Sequence, residues 1–233
     1  MQPLNQLPGE TLRVMADAGA QILECYRLLG KSHDNIVGEV LKGQGMFYEL
    51  DHYPKGDVYD QETHSQYYYH AHRSGEHGHF HTFLREGGIP ERCCPVEQSH
   101  AEFMDERDDK LSHLIAISMN PAGFPIGLFT TNRWVTADNW YPANDVIRML
   151  DCFFIDMAYP SLPVNLWLHA MLRLFRPQIE DLIRQRDKTI SKWAEEHTDR
   201  DVFEDRELDI SSTRRISIER QMERVNDALQ ALH

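Results

Sequence analysis

The chain has 233 residues, a formal net charge of −13 and four cysteines. So acidic a balance argues against nucleic acid and anionic lipid as partners, since both require a basic surface. The cysteines at 25, 93, 94 and 152 match neither a CxxC spacing nor a secreted disulfide framework, which points to a reducing, cytoplasmic compartment, and at this length a core forms without covalent staples.

The opening residues, MQPLNQLPGETLRVMADAG, lack a basic segment followed by an unbroken apolar core, so no secretory signal is expected. From Pro8, apolar residues at Leu12, Met15, Ala16, Gly19, Ile22, Leu23, Tyr26 and Leu29 recur at helical spacing and Gly30 ends the run. Ser32 reads as the cap of a shorter helix carrying Ile36, Val37, Val40 and Leu41. Residues 46–52, MFYELDH, then suggest a strand, and HYPKGDVYD a turn-rich loop. Asp51, His52, Asp57, Asp60 and His64 are ligand or acid/base candidates there, although each taken singly reads better as a turn residue capping local backbone.

Five of the thirteen histidines fall between His70 and His81, in the stretch YYYHAHRSGEHGHFHTFL. Aromatic runs alternating with period two flank a Gly- and Ser-containing middle, the pattern of a β-hairpin. A two-residue turn at Gly75 and Glu76 would oppose Ser74 to His77, His72 to His79 and His70 to His81. All five of His70, His72, His77, His79 and His81 then share one face, with Tyr69, Ala71, Phe80 and Thr82 on the other. Opposed Cβ atoms lie roughly 4.5–5.5 Å apart, close enough for imidazoles to converge on a divalent ion. A slip of one residue would separate the two His-x-His pairs.

After Leu84 a long Gly-, Pro- and acid-containing connection leaves the histidine strand, placed to cover the site and to bring His100 or Cys94 to it. Leu111 to Met119 and Pro125 to Thr131 form a second hairpin, in which His113 shares the face of Ile115, Ile117 and Met119 and reads either as a buried core histidine or as a ligand. Arg133 and Trp134 either line a pocket or anchor packing. Helical spacing follows from Asp145 through Met157, from Val164 to Phe175, and beyond Pro177 to Trp193, with His169 as a core histidine in the second of these. The apolar run Leu162 to Phe175, broken by Asn165, His169 and Arg173, suits a buried helix and no membrane span. Residues 194–213 read as a charged connection. Ile218, Met222, Val225, Leu229 and Leu232 then make a two-heptad seam that suits either packing within the chain or a homodimer.

The expected fold is α+β: an antiparallel β-meander of about four or five strands, with the N-terminal helix and the C-terminal helices packed on one face. Residues 1–175 form the α+β domain, and 176–233 a C-terminal helical extension packed on it. At HYPKGDVYD, SQYYYHAHR, EHGHFHTFLR and LFTTNRWVT the chain resembles a bacterial family catalogued only as a domain of unknown function. That resemblance covers most of the chain and implies no activity, cofactor or catalytic residue.

The function expected from the residues is a metal-binding protein, as a transition-metal-dependent enzyme acting on a small-molecule substrate. The ligands come from His70, His72, His77, His79 and His81, with Glu76, Asp57, Tyr68 and Arg73 as catalytic candidates that move protons or orient substrate. Fe, Zn, Cu, Ni and Mn all stay open as the cofactor. The alternatives are a non-catalytic metal- or haem-binding protein, and an interaction protein with a pH-sensitive histidine face.

Overall fold

In the computed structural model, residues 3–96 and 110–232 are described. The chain runs through α1 (Gly9–Lys31), α2 (Ile36–Leu41), β1 (Tyr53–Tyr59), β2 (Ser65–His70), β3 (Gly78–Arg85), β4 (Leu111–Met119), β5 (Pro125–Thr131), α3 (Arg133–Thr136), α4 (Ala143–Met149), α5 (Leu162–Leu174), α6 (Arg176–Glu196), β6 (Ile210–Arg215) and α7 (Ile218–Gln230). The strands form one antiparallel sheet in the order β1-β2-β3-β4-β5-β6.

One face of this sheet carries the core. Tyr67, Tyr69, Phe80, Leu84, Ile115, Ile117, Met119 and Leu128 are buried there against Ile22 of α1, Val40 of α2, Val146 of α4, Trp167 of α5, Leu182 of α6 and Val225 of α7. Polar groups at the seam are matched: the Tyr67 hydroxyl donates to Asn165 Oδ1 at 2.7 Å, and the Asn165 amide donates to the carbonyls of Met157 and Tyr159. A buried hydroxyl left without such a partner would be costly, so this bond helps to define how α5 sits on β2. Helices on one face and a meander beneath them are as the residue pattern leads one to expect.

Several elements differ from expectation. Asn35 caps α2, its side chain accepting from the N–H groups of Val37 and Gly38, where Ser32 had looked the natural cap. Residues 46–52 are not a strand: Met46, Tyr48 and Leu50 are 72%, 57% and 70% exposed. The strand is the following segment, β1, whose Tyr53 and Val58 pair with Tyr69 and Tyr67 across an irregularity in register. Gly56 and Asp57 have positive φ inside that irregularity, so residues that look like turn punctuation are a bulge in an edge strand. The sheet gains its sixth strand from β6, in a region that reads as charged connection. Its sequence ISSTRR shows no apolar alternation because the inward side chains are hydroxyls: Ser212 bonds Thr130 Oγ1 and the Leu182 carbonyl, and Ser211 bonds Thr130 Oγ1 and the Thr131 carbonyl.

Helical spacing beyond Met149 is not realised as helix. α4 ends there, and Phe153 reaches the core from an irregular segment. The heptad seam of α7 packs within the chain, with Ile218 and Val225 buried and Met222 lying where a Cβ on Gly19 of α1 would meet its Cγ at 2.9 Å. Trp134 and Trp140 are packing anchors. Trp134 Nε1 donates to the Leu208 carbonyl, Trp140 joins a satellite cluster with Ile190, Val202 and Leu208, and buried Arg133 pairs with Glu204. Among the described residues no helix is long and apolar enough to cross a membrane, and all four cysteines are free.

Candidate metal centre

The sheet face turned away from the helices carries the histidines. The β2–β3 ladder opposes His70 to His79, Tyr69 to Phe80 and Tyr68 to His81. This is displaced by two residues from the register that a turn at Gly75 and Glu76 would set, and a loop of residues 71–77 replaces the two-residue turn. The tie that moves it is at residue 77: the His77 N–H donates to the Met119 carbonyl, and its Nδ1 hydrogen-bonds the Tyr69 hydroxyl at 2.7 Å. Gly78 can follow only because it has no side chain, since a Cβ there would lie 2.5 Å from Tyr69 Oη and 2.6 Å from the His70 carbonyl. A displacement by two preserves the alternation of faces, so His70, His79 and His81 still point the same way.

Two of the five candidate histidines behave differently from these three. His72 lies in the loop and is exposed, yet its ring centroid is 4.8 Å from that of His70 and 5.1 Å from that of His79. His77 turns to the other side, stacking near Phe47 and Tyr69, so the structure does not bring it to the others. Among the described residues, one ligand atom each from His70, His72 and His79 lie within 4.8 Å of one another, the arrangement that could hold a metal ion.

The local hydrogen bonds assign the lone pairs. His79 Nδ1 is 2.5 Å from Glu76 Oε1. An ionised carboxylate only accepts, so Nδ1 carries the proton and Nε2 presents its lone pair. That Nε2 accepts from His70 Nε2–H at 2.7 Å, and a metal ion would take the place of this proton. Two imidazole nitrogens bound to one tetrahedral ion at about 2.0–2.1 Å would stand roughly 3.3 Å apart, so a small outward shift admits a cation between them. Glu76 thus stands to His79 as carboxylates commonly stand to metal-binding imidazoles, orienting the ring and raising its basicity. His81 is buried, its Nδ1 3.0 Å from His113 Nε2, while its Nε2 has no hydrogen-bond partner among the described residues. Its ring centroid lies 4.8 Å from that of His79 and 5.2 Å from that of His70.

Burial sets the charge state of the cluster. It lowers the His70 pKa to about 2, helped by neighbouring His79, His52 and His72. It lowers His113 to about 3 and holds His81 well below the ordinary imidazole value. His79 is also lowered by burial, which outweighs the opposing pull of Glu76, so the close Glu76–His79 contact joins a carboxylate to a neutral imidazole. For Glu76 burial works upward, and hydrogen bonds from His79 and Ser118 outweigh it and keep the carboxyl below its usual range. At neutral pH the buried imidazoles of His70, His79, His81 and His113 are therefore uncharged, and each keeps one ring lone pair.

The remaining candidates surround this group. Tyr68 lies on the histidine face with His52 stacked on it, ring centroids 3.6 Å apart and nearly parallel. Burial raises the Tyr68 phenol above its ordinary pKa, so it stays protonated. Asp57 accepts from His52 Nδ1 at 3.0 Å and from Gln66 Nε2 at 2.7 Å, which makes it the anchor of His52 at one edge of the site. The Arg73 guanidinium lies over the Phe129 ring, 4.5 Å from its centroid. Asp60 is a turn residue, accepting from the N–H groups of Glu62, Thr63 and Asp156. Asp51 is exposed, and His64 bonds the Tyr59 hydroxyl. His169 belongs to the helical layer, where its Nδ1 donates to the Phe153 carbonyl at 2.9 Å, which places this ring outside the centre. Cys94 is exposed and outside the histidine group, and His100 lies outside the described residues.

His113 is the main departure. Simple alternation puts it with Ile115, Ile117 and Met119, but the β3–β4 register shifts between Thr82 and Phe83, so that Thr82 pairs with Ile115 and Phe83 with His113. The bulge reverses the phase of the strand and delivers His113 to His81. Asp138, missed in the sequence, secures that end of β4 by accepting from the His113 N–H at 2.9 Å, and burial raises its carboxyl to about 6. Nothing local in LSHLIAISM signals a bulge.

No curated protein matches this chain, and no solved structure does. A family model matches residues 16–216, a span that includes the histidine hairpin and all six strands. The chain belongs to the family described as Domain of unknown function (DUF6969).

Proposed function

We propose that this chain is a transition-metal-binding protein, with His70, His79 and His72 as ligands and buried His81 beside them, and that the bound metal serves a catalytic role. The observation that carries the proposal is the convergence of three imidazoles whose ligand atoms lie within 4.8 Å, one of them already oriented by a buried carboxylate at 2.5 Å. An all-nitrogen set favours Zn, Cu, Ni or Fe over the oxygen-seeking Mg and Ca. Three ligands from the ends of two adjacent strands and the loop between them leave a coordination position for water or substrate, as catalytic centres require. Tyr68 and the His52–Asp57 pair supply proton-bearing groups on the same face.

The alternatives have less support. A haem takes axial imidazoles along a line through its ring, which suits poorly a cluster whose nitrogens crowd within 4.8 Å. A pH-sensitive face needs imidazoles that titrate near neutrality, whereas burial lowers His70 to about 2 and His113 to about 3.

The test is titration of untagged, chelator-treated protein with Zn²⁺, Cu²⁺ and Co²⁺, followed by elemental analysis after desalting. About one ion per chain, lost in His79→Ala, is the expected result. Absence of binding by all three ions would refute the proposal.

A further inference from the structure

The same centre carries an unassigned basic group at its exposed edge. Arg73 follows His72 directly in the loop between β2 and β3, half-buried beside an exposed ligand candidate. Its guanidinium lies 4.5 Å over the centroid of Phe129. The same Phe129 ring meets His79 nearly at right angles with centroids 5.1 Å apart, and His81 likewise at 5.9 Å. Phe129 is thus a shared wall, with the guanidinium on it and two imidazoles at its edge.

What sets Arg73 apart is that, among the described residues, it has an aromatic partner and no polar one. Other arginines with little exposure have polar partners: Arg133 pairs with Glu204, Arg186 with Asp187 and Arg214 with Asp181, and Arg85 donates to Gln66 Oε1. Among the described residues Arg73 makes no hydrogen bond and no ion pair, in a chain with 37 acidic side chains against 24 basic ones. Glu76 is close enough to feel its charge, but Glu76 is already bonded to His79 and Ser118. The contact with Phe129 holds the guanidinium in place and costs it none of its donors. A divalent ion on neutral imidazoles also keeps its charge, which one Glu76 carboxylate offsets only in part.

We propose that the centre takes a small carboxylate as its ligand, anchored by the Arg73 guanidinium on Phe129 and directed by it toward the metal. The planar fork of a guanidinium matches two carboxylate oxygens, and a group held in place loses little freedom on binding. This inference rests on the metal reading above and assigns its substrate class: a molecule bearing a carboxylate at or next to the reacting carbon.

The experiment uses cobalt-loaded full chain, in which acetate and oxalate binding are followed through the visible Co²⁺ spectrum, with acetamide as the uncharged comparison. Wild type, Arg73→Ala, Arg73→Lys and the distant surface variant Arg224→Ala are compared, with thermal unfolding to show that each is folded. The expected result is saturable binding of both anions and none of acetamide. Arg73→Ala should weaken the anions about 10-fold or more without changing cobalt affinity, Arg73→Lys should restore part of it, and Arg224→Ala should match wild type. Cobalt binding with anion affinities indifferent to Arg73 overturns this inference alone. Failure of the wild type to take cobalt overturns the metal reading and this inference with it.

Discussion

His70 and His79 stand directly opposite each other in the β2–β3 ladder, and their Nε2 atoms face one another at 2.7 Å. Each nitrogen belongs to a ring that burial keeps neutral, and His79 has its other nitrogen committed to Glu76. His79 Nε2 therefore accepts from His70 Nε2–H, and a metal ion that displaces that proton would have two imidazole nitrogens and a third nearby to hold it. The adjacent residues differ in what they contribute.

Glu76 is expected to act through His79. Replacing it with Gln keeps the shape but removes the anionic acceptor, so metal affinity should fall by about 10- to 100-fold while the metal still binds. His77→Ala should leave affinity unchanged, because His77 is bonded to Tyr69 on the other side. Competition against a chelator of known affinity measures both. Equal losses in the two variants would mean that the hairpin is disturbed generally and that Glu76 has no orienting role.

Metal-free protein should lose stability as the pH falls from neutrality. The sign follows from the depressed pKa values: between the unfolded imidazole value of about 6.5 and the folded values of about 3 for His113 and about 2 for His70, the unfolded chain holds protons that the folded chain does not. The contribution is complete above about pH 6.5 and is lost as pH falls below it, at about 1.4 kcal/mol per pH unit for each histidine. Urea unfolding at about pH 7.5 and about pH 5.5 should show the drop, and His113→Gln should reduce it by one histidine's share. A flat profile over that interval would contradict the buried, neutral state of these rings.

The two faces of the hairpin should separate by function. Phe80 is fully buried against Tyr67, Tyr69 and Trp167, so Phe80→Ala should cost about 3–5 kcal/mol. His79→Ala, one residue away on the opposite face, should abolish most metal binding with a smaller loss of stability. Denaturant unfolding and metal titration of the pair give the comparison.

Gly78 should tolerate no side chain. The Cβ of Ala would meet the His70 carbonyl, a backbone atom, as well as Tyr69 Oη. Gly78→Ala is expected to cost about 1–3 kcal/mol, as overpacking of a tight site does, and to weaken the metal centre by pushing β2 from β3. Gly75→Ala, with nothing within 4 Å but φ +89°, is strained in its backbone alone and should affect stability more than metal affinity. Thermal unfolding with and without metal distinguishes the two.

What the sequence determined by itself was a matter of local period. Alternation in YYYH and HFHTF places Tyr67, Tyr69 and Phe80 on one face and His70, His79 and His81 on the other, and a register displaced by two leaves those faces unchanged. The apolar spacing of α1, the β4–β5 hairpin and the helical layer were legible for the same reason. Tertiary structure decided the rest, because the deciding contacts come from remote parts of the chain. The Met119 carbonyl ties down His77 and lengthens the hairpin loop, while the Thr130 hydroxyl and the Leu182 carbonyl admit ISSTRR as a sixth strand. A bulge opposite Phe83 carries His113 across the sheet, and Phe129, from a different hairpin, seats Arg73 beside the histidines. Each of these depends on which side chain or carbonyl a strand meets across the sheet, and a strand's own residues do not encode its neighbour.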